Sequence, residues 1–318
     1  MLGHRPSQTW PPTLGNTNLQ RTLFLQRRAH GSVGWEFEGY SVRIPRLVVE
    51  LSGLSRTLGA ADFARYVAAV ALQAPAILKS GTLVPADRQM GGVVRFRTWR
   101  DDLRLDCDAI DGLVGSFDKS LVFSLARELC GRNVYFRAFR PFSAAPGVIL
   151  DLGANRGLFS ALAIAATGAR KVICVEPQAV YLPALRELTD GLGAEVKPVT
   201  GFAGSSEVAQ SLSDLSSPVV PIPSLLARGE RIAFLKADIE GAEEALMAPR
   251  PDWLRLVDRI AMETHPDHCD VAAVHDALQA LGFAVFPSNA IGDRVAPARA
   301  EFLYAALNPE FLGERFVA

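Results

Sequence analysis

Residues 147–177 read GVILDLGANRGLFSALAIAATGARKVICVEP and have the pattern of a βαβ unit. The apolar run that begins at Val148 and ends at Leu152 predicts a strand buried on both faces. A turn with two glycines follows, and the run from Leu158 to Thr167 predicts a helix rich in Ala and Leu. A second strand is predicted at residues 171–175, and it ends in an acid. Units of this kind place a nucleoside-like cofactor at the carboxyl ends of their strands.

The turn and the strand ends indicate which cofactor the unit binds. A dinucleotide fingerprint has glycines at the first, third and sixth turn positions, whereas here glycines stand at 153 and 157 only. S-adenosylmethionine carries no phosphate, but it has an ammonium, a carboxylate and a ribose diol. We expect Asp151 to bind the ammonium, directly or through water, because an unpaired charge at a buried strand end is costly. Gly153 would let the methionine part of the cofactor approach the backbone, and the helix start near Gly157 would help to bind the methionine carboxylate. Glu176 would accept hydrogen bonds from the ribose hydroxyls. The alternative is a plain βαβ crossover with incidental glycines.

Composition limits the classes of protein to consider. The net charge is −1, which argues against general nucleic-acid binding. The cysteines have no Cys-x-x-Cys spacing, which favours a reducing compartment over a disulfide framework or a zinc site; they are Cys107, Cys130, Cys174 and Cys269. Residues 1–20 lack the apolar core of a secretory signal, and the longest apolar stretch, 63–78, is too short and too polar to span a bilayer. We therefore expect a cytoplasmic protein with no transmembrane segment.

The rest of the chain predicts a doubly wound, mostly parallel α/β sheet. We expect an N-terminal extension over residues 1–90, with a disordered leader to about Gln20 and a helix from Asp62 to Leu78 capped by Asp62. Residues 91–318 are predicted to form the catalytic domain. Its other predicted elements are a hairpin at 93–99 and 103–107, a helix at 118–130, strands at 195–200, 231–237 and 259–262, helices at 179–190, 223–228, 240–247 and 271–281, a surface loop or frayed helix at 205–217, and a late antiparallel pair at 283–286 and 301–307. Alternating strands and helices of this kind give a parallel sheet with helices on both faces.

A second group of charged residues follows the predicted strand at 231–237. In the run IAFLKADIEGAE, Lys236, Asp238 and Glu240 lie two positions apart and share one face while the strand lasts. The next strand ends in METHP, which places Glu263 and His265 at its carboxyl end. In a parallel sheet these two strand ends face the same crevice as the first two. As an alternative, Asp238 or Glu240 caps the helix that begins near residue 241.

These motifs together resemble the FkbM family of S-adenosylmethionine-dependent methyltransferases. The matching runs are DLGANRG at 151–157, VEP at 175–177, KADIEGAE at 236–243 and, less specifically, ETHP at 263–266. The resemblance covers residues 93–307 and implies a Rossmann-like class I methyltransferase that O-methylates a hydroxyl on a sugar or natural-product scaffold, with a small molecule or glycan as acceptor. The cofactor-binding residues it implies, together with those argued above, are Asp151, Gly153, Ala154, Asn155, Gly157, Glu176, Pro177 and Asp238. The chain departs from the family where AGSS at 203–206 replaces an acid or Asn near the adenine, so we expect backbone or Ser contacts there.

Methyl transfer to an alcohol needs a positioned nucleophile and an acceptor for its proton. His265 is the first choice for the base because its unperturbed pKa lies near the working pH, and Asp238 is the alternative base or a substrate-orienting group. A His at a strand end can also be purely structural. The predicted catalytic residues are His265, Asp238, Glu240 and Glu263. Glu263, His265, His268 and Cys269 match no familiar metal-ligand spacing, so no metal is predicted.

Two other functions stay open at this point. An NAD(P)-dependent oxidoreductase can use the same fold, although the glycine spacing and the absence of a Tyr-x-x-x-Lys pair disfavour it. A non-catalytic S-adenosylmethionine-binding module would keep the cofactor site without turnover. The acidic groups and the histidine at the later strand ends argue against such a module.

Overall fold

The apolar run at 148–152 forms a central strand of the main sheet in the computed structural model, which describes residues 43–204 and 217–317, with backbone only for 43–47. The strands are β1 (Val93–Phe96), β2 (Leu103–Asp106), β3 (Val148–Leu152), β4 (Lys171–Glu176), β5 (Glu195–Thr200), β6 (Phe202–Ala203), β7 (Val219–Val220), β8 (Ile232–Ala237), β9 (Arg259–Glu263), β10 (Ala284–Ser288) and β11 (Phe302–Ala306). The α-helices are α1 (Arg43–Thr57), α2 (Ala60–Leu72), α3 (Ala74–Ser80), α4 (Val84–Asp87), α5 (Cys107–Val114), α6 (Val122–Ala126), α7 (Leu158–Thr167), α8 (Leu182–Thr189), α9 (Glu243–Met247) and α10 (Val271–Ala280). The predicted leader lies outside the described residues, as does the predicted loop at 205–217 apart from its last residue.

Within the described residues, the main sheet has seven strands in the order β10-β11-β9-β8-β3-β4-β5. β9, β8, β3, β4 and β5 pair in parallel, and β11 runs antiparallel to both β9 and β10. The predicted fold class, a doubly wound and mostly parallel α/β sheet, is therefore confirmed, and so is the late antiparallel pair. The chain leaves β3 toward β4 on one side and returns to β8 on the other. The carboxyl ends of β3 and β8 thus form the switch point where α/β sheets bind ligands.

Side chains of the sheet enter two apolar layers, one on each face. In β3, Ile149 packs into the layer that contains α7 and α8, and Leu150 packs into the layer that contains α10. This alternation follows from the period-2 geometry of a strand, and both residues are fully buried. Pro198 lies in β5, at the edge of the sheet, where the missing N–H of proline costs no ladder hydrogen bond.

Several predicted helix limits are wrong, for local reasons. The helix predicted at 62–78 is two helices, because Pro75 cannot continue the hydrogen-bond ladder of α2 and instead lies in the first turn of α3. Asp62 is not its cap, since α2 begins after Gly59, and the Asp62 carboxylate accepts the backbone N–H of Arg95 at 3.2 Å. Asp118 does not start a helix either: α6 begins at Val122 and continues into a π-turn at 127–131. Other shifts include 3₁₀ turns at 179–181 and 222–225 and a later start for α9, at 243.

Helices α1 and α4 attach to the π-turn through a buried ion network. Arg127 pairs with Glu50 of α1 and, at 3.0 Å, with Asp87 of α4, and these three side chains are at most 8% exposed. The backbones of Gly53 and Gly131 touch there, since a Cβ on Gly53 would lie 1.6 Å from the Gly131 carbonyl oxygen. The described residues from 45 onward accordingly form one compact unit. The division at 90/91 into extension and catalytic domain stays a prediction. No helix of the described part is long and apolar enough to cross a membrane.

Candidate active site

The turn after β3 is shaped by the backbone of β8. Gly153 has φ +73, and its N–H and that of Ala154 donate to the Val175 carbonyl of β4 at 2.9 and 3.0 Å. A Cβ on Gly153 would lie 1.8 Å from the carbonyl oxygen of Asp238. The glycine is therefore needed for the close approach of two protein segments, and the expected approach of a cofactor to this backbone stays a prediction.

This close approach can be tested with a matched pair of glycines. Gly229 has φ +76, and a Cβ there would meet no atom within 4 Å. Both Gly→Ala changes carry the strain of a left-handed residue, about 1–2 kcal/mol, and Gly153→Ala adds overpacking of about 1–3 kcal/mol. We expect urea denaturation to show the larger loss of unfolding free energy for Gly153→Ala. Equal losses in the two variants would contradict the proposed contact.

Asp151 has an internal partner. It is fully buried, its Oδ2 accepts the Ser160 hydroxyl at 2.6 Å, and its Oδ1 lies 3.4 Å from Nζ of Lys236. The ammonium of Lys236 also donates to the carbonyls of Leu152 and Gly153, at 3.1 and 2.6 Å. Burial opposes its charge, but Asp151 and Asp238 raise the pKa of Lys236, which stays an ammonium. The protein thus supplies an ammonium of its own beside Asp151, and the predicted contact of Asp151 with the cofactor stays a prediction.

Glu176 ties the turn to the end of β4. Its carboxylate is 6% exposed and accepts the N–H of Asn155 at 2.8 Å through Oε2 and the N–H of Gln178 at 2.9 Å through Oε1. Asn155 has φ +49, which asparagine tolerates better than most residues. The neighbouring Pro177 accepts the Ser217 hydroxyl at 2.6 Å through its carbonyl. An ionised carboxylate is an acceptor only, and both oxygens of Glu176 accept a backbone N–H.

The end of the DLGANRG turn serves packing. Gly157 has φ +82 and begins α7, and a Cβ there would lie 2.7 Å from Cγ of Leu185 on α8. Arg156 is 1% exposed and pairs with Asp111 at 3.1 Å and Asp118 at 3.2 Å. These pairs attach α5 and the segment after it to the turn. Nothing in the local sequence signals them, because the acids stand 38 and 45 positions upstream.

The ends of β8 and β9 bring the predicted catalytic residues together. Nδ1 of His265 lies 2.9 Å from Oε1 of Glu243, and Nε2 lies 3.5 Å from Oε2 of Glu240 and 4.0 Å from Oδ1 of Asp238. Burial opposes the charge, but the hydrogen bond to Glu243 and the nearby carboxylates raise the pKa of His265 to about 10. The ring is therefore protonated at neutral pH in the ligand-free protein. Both of its nitrogens face carboxylates, unlike the free base expected from the sequence.

Tyr135 completes the crevice and was missed from the sequence. Its hydroxyl lies 3.1 Å from Oε2 of Glu263 and 3.3 Å from Oδ2 of Asp238, and its ring centre is 5.5 Å from Nζ of Lys236. Burial and the charge of Asp238 raise the pKa of Glu263 to about 8. Glu263 therefore holds a proton of its own at neutral pH, and the Tyr135 hydroxyl proton is available to Asp238. Tyr135 stands in an irregular segment before β3, where no periodic pattern marks it.

The alternative of helix capping is wrong for Asp238 and Glu240. α9 begins at Glu243 after Ala242, and it is Oε1 of Glu243 that faces the N–H groups of Ile239 and Gly241, at 3.3 Å each. Within the described residues, the His and acid side chains that could hold a metal are Asp238, Glu240 and His265, whose donor atoms lie within 4.8 Å of one another. This set differs from the run of four residues considered from sequence. It shares only His265 with that run.

Comparisons with known proteins return distant structural similarities. No protein-family model matches the chain, and no curated protein sequence matches it. The solved structures similar to it include methyltransferase FkbM from Methylobacillus flagellatus KT, at 18% identity and TM-score 0.35 over 63% of this chain and 58% of that one. Precorrin-6y C5,15-methyltransferase from Geobacter metallireducens GS-15 matches at 16% identity and TM-score 0.33, over 55% and 83%. A protein of the NADB-Rossmann superfamily from Streptococcus agalactiae matches at 14% identity and TM-score 0.34, over 60% and 71%.

Proposed function

We propose that the protein is an S-adenosylmethionine-dependent methyltransferase that methylates a hydroxyl group on a sugar or natural-product scaffold. The observation that carries this proposal is the crevice at the carboxyl ends of the parallel strands. It places Glu176, at the end of β4, along the same sheet edge as the acids and histidine that follow β8 and β9. The sequence motifs at 151–157, 175–177 and 236–243, which resemble those of the FkbM family, support the finer assignment.

The residues of this edge fit the proposed cofactor in part. Glu176 fits best, because its buried carboxylate stands at the end of the second strand, where an acid binds the ribose diol in nucleotide-binding folds, and Asn155 and Pro177 lie beside it. Asp151 and Gly153 serve indirectly, since the first fixes Lys236 and the second admits the backbone of Asp238. When bound, S-adenosylmethionine would supply an electrophilic methyl group on a sulfonium, with a neutral thioether as its leaving group.

On the acceptor side, Asp238 is the residue we assign to the hydroxyl proton. Its carboxylate lies between Tyr135 and His265, at 3.3 Å and 4.0 Å, and its side chain is 16% exposed, so a substrate can reach it. His265 has both nitrogens toward carboxylates and is assigned to orienting Asp238 and Glu240. Tyr135 and Lys236 fix the other side of the Asp238 carboxylate. Positioning of the acceptor hydroxyl by these groups and proton transfer to Asp238 both contribute to the rate enhancement.

Calorimetric titration of S-adenosylmethionine tests the cofactor part of the proposal. Glu176→Gln is expected to weaken binding about tenfold or more, because a charge-assisted hydrogen bond to a hydroxyl is worth about 1.5–3 kcal/mol. Glu195→Gln is the matched control: it is exposed and lies at the amino end of β5, so the affinity should not change. Thermal unfolding of ligand-free Glu176→Gln measures separately any loosening of the turn that Glu176 holds. Tight binding of NAD in place of S-adenosylmethionine would favour an oxidoreductase and contradict the proposal.

A further inference from the structure

Three side chains from the ends of β8 and β9 surround one space. Nε2 of His265, Oε2 of Glu240 and Oδ1 of Asp238 come from positions 2 to 27 residues apart in the chain, and the histidine nitrogen lies 3.5 and 4.0 Å from the two oxygens. Ligands at about 2.1 Å from a divalent ion stand about 3.0–3.4 Å from one another. Small side-chain rotations would bring the three donors to that spacing. We infer that Asp238, Glu240 and His265 form a binding site for one divalent transition-metal ion.

A buried carboxylate outside the donor set supports this inference. Glu243 is 0% exposed, and its Oε1 holds Nδ1 of His265 at 2.9 Å. Metal-binding histidines almost always give their second ring nitrogen to such a carboxylate, which fixes the ring and the tautomer. Nε2 of His265 is thereby directed to the other two donors. The remaining oxygen of Glu243, Oε2, is buried and meets no hydrogen-bond donor within the described residues. Hydrogen bonds from the protein therefore balance only part of the negative charge of this carboxylate.

The charge and composition of the crevice fit a cation of this kind. Three carboxylates converge on it, those of Asp238, Glu240 and Glu243. Lys236 is directed mainly to Asp151 and to the carbonyls of Leu152 and Gly153. One imidazole nitrogen with carboxylate oxygens suits Mn²⁺, Fe²⁺ or Zn²⁺. The side chain of Glu240 is 48% exposed, which leaves the ion a path from solvent.

A metal ion here would be bound through Oδ1 of Asp238, the carboxylate that we assign to the hydroxyl proton. Resting on the proposed function, its role would be to hold the acceptor oxygen and favour its ionised form. Binding of the ion, however, depends only on the three donors and on Glu243. It can therefore be measured without cofactor or acceptor.

The test uses Mn²⁺ and electron paramagnetic resonance on the chelator-treated full chain, because the signal of free Mn²⁺ falls when the ion binds. We expect one Mn²⁺ per chain. Glu240→Gln and His265→Gln should each weaken binding about tenfold or more, and Glu243→Gln about tenfold, since loss of an outer partner typically costs about 10–100-fold in affinity. Asp267→Asn is the matched control, an exposed acid of the loop after His265 but outside the donor set, and it should bind Mn²⁺ as the unchanged chain does.

Absence of Mn²⁺ binding at millimolar concentration would overturn the inference. It would also be overturned if Glu240→Gln and His265→Gln both bind one Mn²⁺ per chain as tightly as the unchanged chain does. If Asp267→Asn weakens Mn²⁺ binding as much as the donor changes do, Mn²⁺ is attracted to the acidic surface in general, and the inference is overturned. Calorimetry with S-adenosylmethionine on the same samples separates the two proposals. Cofactor binding without Mn²⁺ binding would exclude the metal site and leave the proposed function intact. Mn²⁺ binding without cofactor binding would exclude the proposed function and leave the metal site intact.

Discussion

Asp238→Asn is expected to lower the rate of methyl transfer by about 10²–10⁴-fold, the usual contribution of a positioned proton acceptor. The amide keeps the shape of the side chain but cannot take a proton from the acceptor hydroxyl. Cofactor affinity should change little, because Glu176 at the end of β4 is the main polar group assigned to the cofactor. The measurement is single-turnover kinetics with saturating S-adenosylmethionine, together with calorimetry on the same variant.

The control for this prediction removes a charge from the same side of the molecule. Asp267→Asn changes an exposed acid that is not assigned to the reaction and should leave the rate within about twofold, as expected for a surface substitution. A rate for Asp238→Asn as high as that of the control would exclude Asp238 as the proton acceptor. Loss of cofactor affinity in Asp238→Asn would instead assign Asp238 to binding.

Arg127→Met is expected to lower the free energy of unfolding by about 3–5 kcal/mol, the typical cost of removing one partner from a buried ion pair. The change leaves the buried carboxylates of Glu50 and Asp87 without their shared guanidinium. Hydrogen bonds from Tyr66 and Ser124 to Asp87, at 2.9 and 2.7 Å, offset only part of this loss. Urea denaturation followed by circular dichroism gives the free energy.

Arg95→Met is the matched control for the ion network. Arg95 pairs with Asp102 at 3.6 Å, and the two side chains are 55% and 43% exposed. An exposed pair of this kind contributes about 0–1 kcal/mol, so the control should unfold almost as the unchanged chain does. A loss for Arg127→Met no larger than for Arg95→Met would mean that α1 and α4 do not depend on the network.

Strands and strand ends could be predicted from the sequence because local patterns determine them. Buried parallel strands are continuous apolar runs, and polar residues at their carboxyl ends must meet at one edge of the sheet. This reasoning gave the sheet, its late antiparallel pair, and the common location of Asp238, Glu240, Glu263 and His265. Each of these conclusions needs only the order of elements along the chain.

Features that depend on contacts between distant residues could not be predicted in this way. The pairing of Asp151 with Lys236 follows from the register of β3 and β8, which places the two residues side by side. The role of Gly153 depends on the backbone of Asp238, 85 positions later, and Tyr135 reaches Glu263 from an irregular segment. The pKa of His265 is raised by Glu243 on α9. Sequence reasoning used the unperturbed value and therefore named His265 as the base.

Transfer of an isotope-labelled methyl group tests the central claim most directly. The chain is incubated with methyl-labelled S-adenosylmethionine, with and without added Mn²⁺, against sets of glycans and hydroxylated metabolites, and the products are identified by mass spectrometry. We predict a labelled methyl ether on a hydroxyl oxygen of one acceptor class, formed by the unchanged chain and lost in Asp238→Asn. Binding of S-adenosylmethionine with no labelled product from any acceptor, or label found only on nitrogen or carbon, would contradict the account.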